Sequence, residues 1–368
     1  MLFGLFRIFS RNKKKTADKK PKPTRQSSQL TGKPSMPFGE LLNEPANLGA
    51  SGLSQEMLAS LTGFDLFVAT QIDEKQADRA RQLCERLPDP HPVQSKLAGG
   101  LDTPQELVAT LAADPGLTAG VLRTVNSAAF ALTSPISSVQ HAVNYLGVSF
   151  VKGLVSQAAT ADQTKDCSEA QRAALQRVWL STAVASAFAN LLGQSSGHYR
   201  PSVLATKALF FNLGDLGIIL GEEAAHAWYA EGMTVLDRIK AQQQGCGLNS
   251  SIVGSTLARN WGLPEDIEHA IANSMLPLVK TPAQLSFVVK EDELKDTVLL
   301  YLAGRIGDRV AYQGLRDLSE FNIEAADEPC TFFIKGHLEA SDQKLVVNLL
   351  SDPGFRKKFN RLLSSLAI

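Results

Sequence analysis

Beyond Leu87 the apolar residues recur three and four positions apart in one segment after another, and most segments open on a small polar residue. In "DTPQELVATLAA" the spacing predicts a helix with Thr103 as N-cap, Pro104 at the first helical position and Glu106 completing a capping box. Asp114 and Pro115 repeat the device for "DPGLTAGVLRTVNS", which closes near Asn126 and Ser127. Ser137 or Ser138 restarts a helix that Gly147 stops, and "VSFVKGLVSQAATAD" follows at once. Ser168 and Gln171 open a long helix through Trp179 to Leu192. Helical patterns continue over 202–221, 222–243, 249–260 and 264–274, and "KTPAQLSFVVKEDELKDTVLLYLAGRIGDRV" and "LEASDQKLVVNLLSDPGFRKKFNRLLSSL" supply the closing helices. Val, Ile and Thr do not alternate with polar residues over any long window, so the fold class is all-α. No repeat of 20–50 residues points to a solenoid.

The pattern weakens towards the N-terminus. "DEKQADRARQLCERL" still reads as one charged helix, with Ala77, Ala80, Leu83, Cys84 and Leu87 at helical spacing. Residues 16–37 are rich in Lys, Pro, Ser and Thr and cannot bury enough apolar surface to offset the entropy of ordering. A disordered linker is expected there. The first fifteen residues, "MLFGLFRIFSRNKKK", are too short to span a bilayer and carry their charges on the wrong side for a secretory signal. They suit a short amphipathic helix in which Leu2, Phe3, Leu5, Phe6 and Phe9 enter a membrane interface while Arg7, Arg11, Lys13, Lys14 and Lys15 meet anionic headgroups.

Charge sharpens this division. The chain is formally neutral, but residues 1–33 hold ten basic side chains against the single acid Asp18, a net +9, so the remainder is acidic by the same amount. An acidic body argues against a broad nucleic-acid face, and no nucleic acid is expected as partner. Cys84, Cys167, Cys246 and Cys330 lie about eighty residues apart with no C-x-x-C, which fits a reduced cytosolic protein without a zinc ribbon or disulfide framework. No nucleophile elbow, P-loop or Cys/His pair is present.

"LPDPHPV", "ELVATLAADPGLTAGVLRTVNSAAF", "SPISSVQHAVNYLGVSFVKGLV" and "WGLPEDIEHAI" resemble the bacterial HDOD domain, a helical signalling module related to the HD metal-dependent phosphohydrolases. The resemblance covers roughly residues 80–280. It implies a multi-helix HD-like bundle, and the division of the chain becomes 1–15 amphipathic segment, 16–37 linker, 38–87 helical lead-in, 88–310 HDOD-like domain and 311–368 C-terminal helical extension.

HD hydrolases hold their metals with a His, a His-Asp dipeptide and a later Asp, because divalent cations need imidazole and carboxylate ligands converging from several helices to activate water. Carried over position by position, the first His falls on Ser181, the His-Asp on Phe211 and Asn212, and the last Asp on Gly304. A shifted register would put Gly214 and Asp215 at the dipeptide. The imidazoles are missing in either register, and none of the six histidines is followed by Asp. The expectation is a chain with no metal, no cofactor and no catalytic residue.

The function expected is a non-enzymatic signal-transduction scaffold or output module. Its implied partners are signalling proteins carrying receiver, kinase or cyclic-dinucleotide domains, and its place is the cytoplasm, peripheral at the inner membrane through the N-terminal segment. A second reading makes it an effector that binds a cyclic dinucleotide in the vestigial cavity, which would need arginines converging there. Arg123, Arg259 and Arg305 are the candidates for that role, and Asn126 and Ser127 for a ligand or partner contact, with a loop-closing structural role favoured for the last two.

Overall fold

A computed structural model describes residues 52–365 apart from 86, 88–90, 102, 127–135, 160–166, 199 and 325–327. The 1–15 segment and the 16–37 linker lie outside these residues. Two helices lead in, α1 (Gly52–Thr62) and α2 (Glu74–Glu85). Five follow as α3 (Pro92–Ala98), α4 (Pro104–Ala112), α5 (Pro115–Val125), α6 (Val139–Leu146) and α7 (Val148–Ala159). The centre is built from α8 (Glu169–Ser196), α9 (Pro201–Phe210), α10 (Leu213–Gly221), α11 (Val235–Cys246), α12 (Ser250–Asn260) and α13 (Glu265–Ala272). The chain closes with the short α14 (Leu276–Val279), α15 (Pro282–Val288), the long α16 (Glu291–Gln313), α17 (Ile334–Ala340), α18 (Lys344–Ser351) and α19 (Pro353–Ser365). No strand occurs among the described residues, so the fold is all-α.

Several helix starts sit where a side chain takes up an otherwise orphaned N–H group. Thr103 and Glu106 form a reciprocal capping box at α4, and Ser168 and Gln171 do the same at α8. Asp114 caps α5 and Ser138 caps α6, while Gly147, at φ 86°, ends α6 in a conformation open to glycine at little cost. These are the local signals read in the sequence.

Two of the longer patterns are broken by the fold. The 202–221 pattern splits at Phe211 and Asn212 into α9 and α10, and the 222–243 pattern becomes a 3-10 turn over Glu223–Tyr229, a bend and then α11. The bend needs Gly232 at φ 83°, after which Thr234 and Asp237 restart the helix with a capping box of their own.

Helix α8 is the axis of the bundle. Val178, Ala185, Phe188, Ala189 and Leu192 are all almost completely buried, and the helix lies chiefly against α16, α9 and α7. Burying a large aliphatic or aromatic side chain contributes roughly 1.5–3 kcal/mol, so this one helix supplies a sizeable part of the core. The lead-in and the closing helices join the same apolar cluster, which contains Leu61, Leu83, Leu338, Val346, Phe359 and Leu363 together with the α8 residues. The 311–368 extension therefore completes the core. The stretch Pro201–Gly221 is apolar enough to cross a membrane by length and composition, but 78% of its most apolar window is buried inside the bundle.

Candidate functional site

Ser181, Asn212 and the turn of α16 that holds Gly304 and Asp308 meet at the centre of the bundle. The backbones come this close because Gly307 has no side chain: a Cβ there would stand 2.3 Å from the carbonyl oxygen of Ser181. Ser181 Oγ then donates to Asp308 Oδ1 at 2.8 Å. Asn212 Nδ2 donates to Ser181 Oγ at 3.3 Å and to Thr182 Oγ1 at 3.1 Å. Two of the four positions that the resemblance assigns to ligands, 181 and 212, are thus brought together, and their side chains bond to each other, to Thr182 and to Asp308.

The other two positions close the space between α9 and α16. Phe211 is buried, and a Cβ built on Gly304 would lie 2.6 Å from Phe211 Cε1. The phenyl ring rests on the bare backbone of Gly304, the position at which the resemblance expects a carboxylate. The substitutions at 211 and 304 are complementary in volume. A ring fits because a side chain is missing, and close-packed interiors leave little slack for either change alone. The shifted register gives no better centre, since a Cβ on Gly214 would stand 1.8 Å from the backbone oxygen of Ser250.

A carboxylate is nonetheless present one helical turn beyond Gly304. Asp308 lies between two buried guanidiniums. Arg238 Nη2, from α11, donates to Asp308 Oδ2 at 2.6 Å, and Arg305 Nη1 lies 3.1 Å from the same oxygen. The Arg305 contact satisfies the distance for an ion pair but not the direction of a hydrogen bond, and no Arg305 nitrogen has a hydrogen-bond partner. Charge and the Tyr301 ring, 5.0 Å from Arg305 Cζ, hold it in place. Arg238 has a similar aromatic support, with its Cζ 4.2 Å from the centroid of Tyr312.

Burial by itself would push the Asp308 carboxyl up, but Arg238, Arg305 and the Ser181 hydroxyl together outweigh it and hold it below the ordinary aspartate range. Asp308 is therefore an anion in the core, neutralised by protein cations. Asp215 sits nearby in a different setting. Tyr229 Oη and Gln242 Nε2 each donate to Asp215 Oδ1 at 3.0 Å, and burial raises this carboxyl in spite of Arg238 and those two donors. Gln242 Oε1 in turn accepts from the Ser250 N–H at 2.9 Å, which ties the polar cluster to the start of α12.

The free space here is small. A void bordered by Trp179, Thr182, Asn212, Gln94 and Ser156 measures about 10 Å³. Among the described residues no three His, Cys, Asp or Glu side chains are grouped as a metal would require.

The arginines named from the sequence do not converge. Arg123 is exposed in the last turn of α5, and Arg259 is exposed and pairs with Glu268. Only Arg305 lies in the centre, and it is occupied with Asp308. Asn126 is committed to the chain itself: Nδ2 donates to the carbonyls of Leu122 and Ile136, both at 2.8 Å, and Oδ1 accepts from the Ile136 N–H at 2.7 Å. It joins the two ends of the 127–135 segment, which contains Ser127 and lies outside the described residues, as do Leu2 to Lys15. Arg238, Asp308, Tyr229 and Gln242 were not singled out from the sequence. The one available signal was Asp308 at four residues from Gly304, on the same helix face.

The HDOD domain family matches residues 87–277. No curated protein matches the chain. Among solved structures, an HDOD domain protein of unknown function from Geobacter sulfurreducens is similar at 20% identity and TM-score 0.49, covering 80% of this chain and 98% of the other. A candidate phosphohydrolase from Shewanella amazonensis SB2B has 18% identity and TM-score 0.47 over 79% of this chain and 98% of its own. The MmoQ response regulator of Methylococcus capsulatus str. Bath has 16% identity and TM-score 0.32, covering 75% and 96%. With the family match extending over more than half of its length and the helices in place, the chain belongs to the HDOD domain family.

Proposed function

We propose that this protein is a signal-transduction module that works by protein–protein interaction and has given up the hydrolytic chemistry of the wider HD group. The observation that carries the reading is the Phe211 ring seated on Gly304. A phenyl group offers no lone pair to a cation, and here it also takes the volume that a ligand from position 304 would need. Behind it, the Arg238 and Arg305 guanidiniums supply the positive charge that Asp308 requires. The bundle around it is closely packed, and a rigid helical surface needs no reaction at its centre. Signalling proteins with receiver, kinase or cyclic-dinucleotide domains are the proposed partners, on the strength of the family.

The alternative of a cyclic-dinucleotide effector using the vestigial centre has little support. A pocket for such a ligand runs to roughly 300–1,000 Å³, whereas the void beside Asn212 has room for about one water. The arginines that would clamp its phosphates are at the surface or already paired.

A turnover assay tests the proposal. Full-length protein supplied with Mn²⁺, Mg²⁺ or Zn²⁺ is expected to leave p-nitrophenyl phosphate and bis(p-nitrophenyl) phosphate intact. Hydrolysis that disappears in the Asp308→Asn or Asp215→Asn variant would show a working centre and sink the reading.

The N-terminal segment is proposed to add a weak, reversible contact with the anionic inner membrane, an idea supported by its sequence alone. Each basic residue near such a surface contributes on the order of 1 kcal/mol, and Leu2, Phe3, Leu5, Phe6 and Phe9 add an interfacial anchor. Sedimentation with anionic vesicles should decrease with added salt and be lost when Phe6 and Phe9 are both replaced by Asp. Equal sedimentation of the wild type, that variant and a chain without residues 1–15 would rule the contact out.

A further inference from the structure

Helix α19, "PGFRKKFNRLLSS", carries Arg356, Lys357, Lys358 and Arg361 and no acidic residue. Its main apolar side is turned into the core: Phe355, Phe359 and Leu363 are buried, and both phenyl rings meet Phe188 of α8 edge to face, at centroid distances of 5.8 and 4.9 Å. Lys357, Lys358 and Arg361 are left exposed on the opposite side. A strongly basic ridge is therefore fixed in one orientation on a body that is acidic in sequence.

Clefts lie along both flanks of this ridge. One, of about 500 Å³, runs between α19, α8 and the first turns of α7 and α9. Its rim includes Lys358, Asn190 and Gln194, and half-buried Val148, Leu191 and Leu362 provide apolar surface within it. The second, of about 540 Å³, is bordered by Arg356, Lys357, Asn360 and Arg361, with Asp317 facing them. Amide donors, aliphatic surface and cations thus alternate across a concave face, which is the combination that receives side chains projecting from a polypeptide.

We infer that this face docks an acidic segment of a partner protein, its carboxylates meeting Lys357, Lys358 and Arg361 and its apolar side chains entering the cleft lined by Val148, Leu191 and Leu362. Charge complementarity selects the acidic partner, and the recessed aliphatic residues select one that carries apolar side chains as well. An anionic bilayer fits less well. A helix that lies in a membrane interface must present its apolar side to the lipid, and the apolar side of α19 is turned into the core. The inference rests on the reading of the chain as an interaction module and adds the chemistry of what it binds.

The probe for this is a synthetic peptide of Glu-Glu-Leu repeats with a fluorescein and a photoactivatable benzophenone, used with the full-length chain. The expected result is saturable binding, adducts mapping by mass spectrometry to α19 and the cleft residues, and at least a tenfold loss of affinity in the Lys357→Glu, Lys358→Glu, Arg361→Glu variant. All three side chains are exposed, so unchanged circular dichroism and unfolding midpoint should accompany that loss. An all-Glu peptide of equal length should bind more weakly than the Glu-Glu-Leu peptide. Adducts confined to residues 1–33, unchanged affinity in the triple variant, or equal affinity for the all-Glu peptide would each overturn the inference. So would binding to phosphatidylserine vesicles that depends on the three α19 cations when peptide binding does not. Any of these failures leaves the hydrolysis result unaltered, which keeps the loss of this surface distinct from the loss of the proposed function.

Discussion

Asp308→Asn is expected to lower the unfolding free energy by about 3–5 kcal/mol, the usual cost of removing one partner from a buried ion pair. The amide matches the carboxylate in size, and its oxygen can still accept from Ser181, so the packing hardly changes. What changes is charge. Arg238 and Arg305 remain in the core without the carboxylate that both contact, and the new Nδ2 group faces the Arg238 Nη2 donor whose hydrogen bond Asp308 Oδ2 had accepted. Urea unfolding at neutral pH measures the loss. Adding Arg238→Met should restore part of it, because a buried cation is exchanged for an apolar side chain of similar length. A loss under 1 kcal/mol, or no recovery in the double variant, would mean that water or another group neutralises the arginines.

The second large effect belongs to Gly304. Gly304→Asp puts a carboxylate at the position where the resemblance expects one, and it should cost on the order of 5 kcal/mol, combining overpacking with an unpaired buried charge. Its Cβ alone falls 2.6 Å from Phe211 Cε1, and the new carboxylate would face Asp308 one turn away. Gly304→Ala separates the steric part, expected at about 1–3 kcal/mol. Phe211→Ala by itself should cost roughly 3–5 kcal/mol through the cavity it leaves. Combined with Gly304→Ala, it should cost at least 1 kcal/mol less than the two changes summed, since each relieves the other. Strict additivity would show that the ring and the glycine are not packed as a unit.

Much of the helical frame was readable because caps are local. Thr103 with Glu106, Asp114 with Pro115, Ser138, Gly147 and Ser168 with Gln171 act within a few residues, and each stands at a helix boundary. Boundaries set by tertiary contact were less legible. In "LFFNLGDLG" Asn212 and Gly214 are turn-forming residues, but the apolar run across them reads as one helix, and the chain turns at Phe211 and Asn212 so that Gly214 can pass beside the Ser250 carbonyl. Gly232 was a fair signal for a bend within 222–243, and the regular apolar spacing around it masked that signal.

The centre was legible only in part, and for a related reason. Positions 181, 211, 212 and 304 came from family resemblance, which locates residues but does not say what replaces a lost ligand. Arg238 lies in "TVLDRIKAQQQG", where an arginine looks like part of a solvated face, and its partner Asp308 is seventy residues away. A pairing across that distance leaves no periodic trace. Arg123 and Arg259 looked equally plausible as lining groups, and the fold sets both at the surface.

Elemental analysis of the full-length protein is the most direct test of the claim that protein cations and a phenyl ring have replaced the metal. Purified without chelator from cells grown with added Mn²⁺, Fe²⁺ and Zn²⁺, then desalted, the protein should carry well under about one tenth of a tightly bound transition metal per chain. About one or more per chain, lost on Asp308→Asn or Asp215→Asn, would mean that a metal centre survives there and would contradict the account.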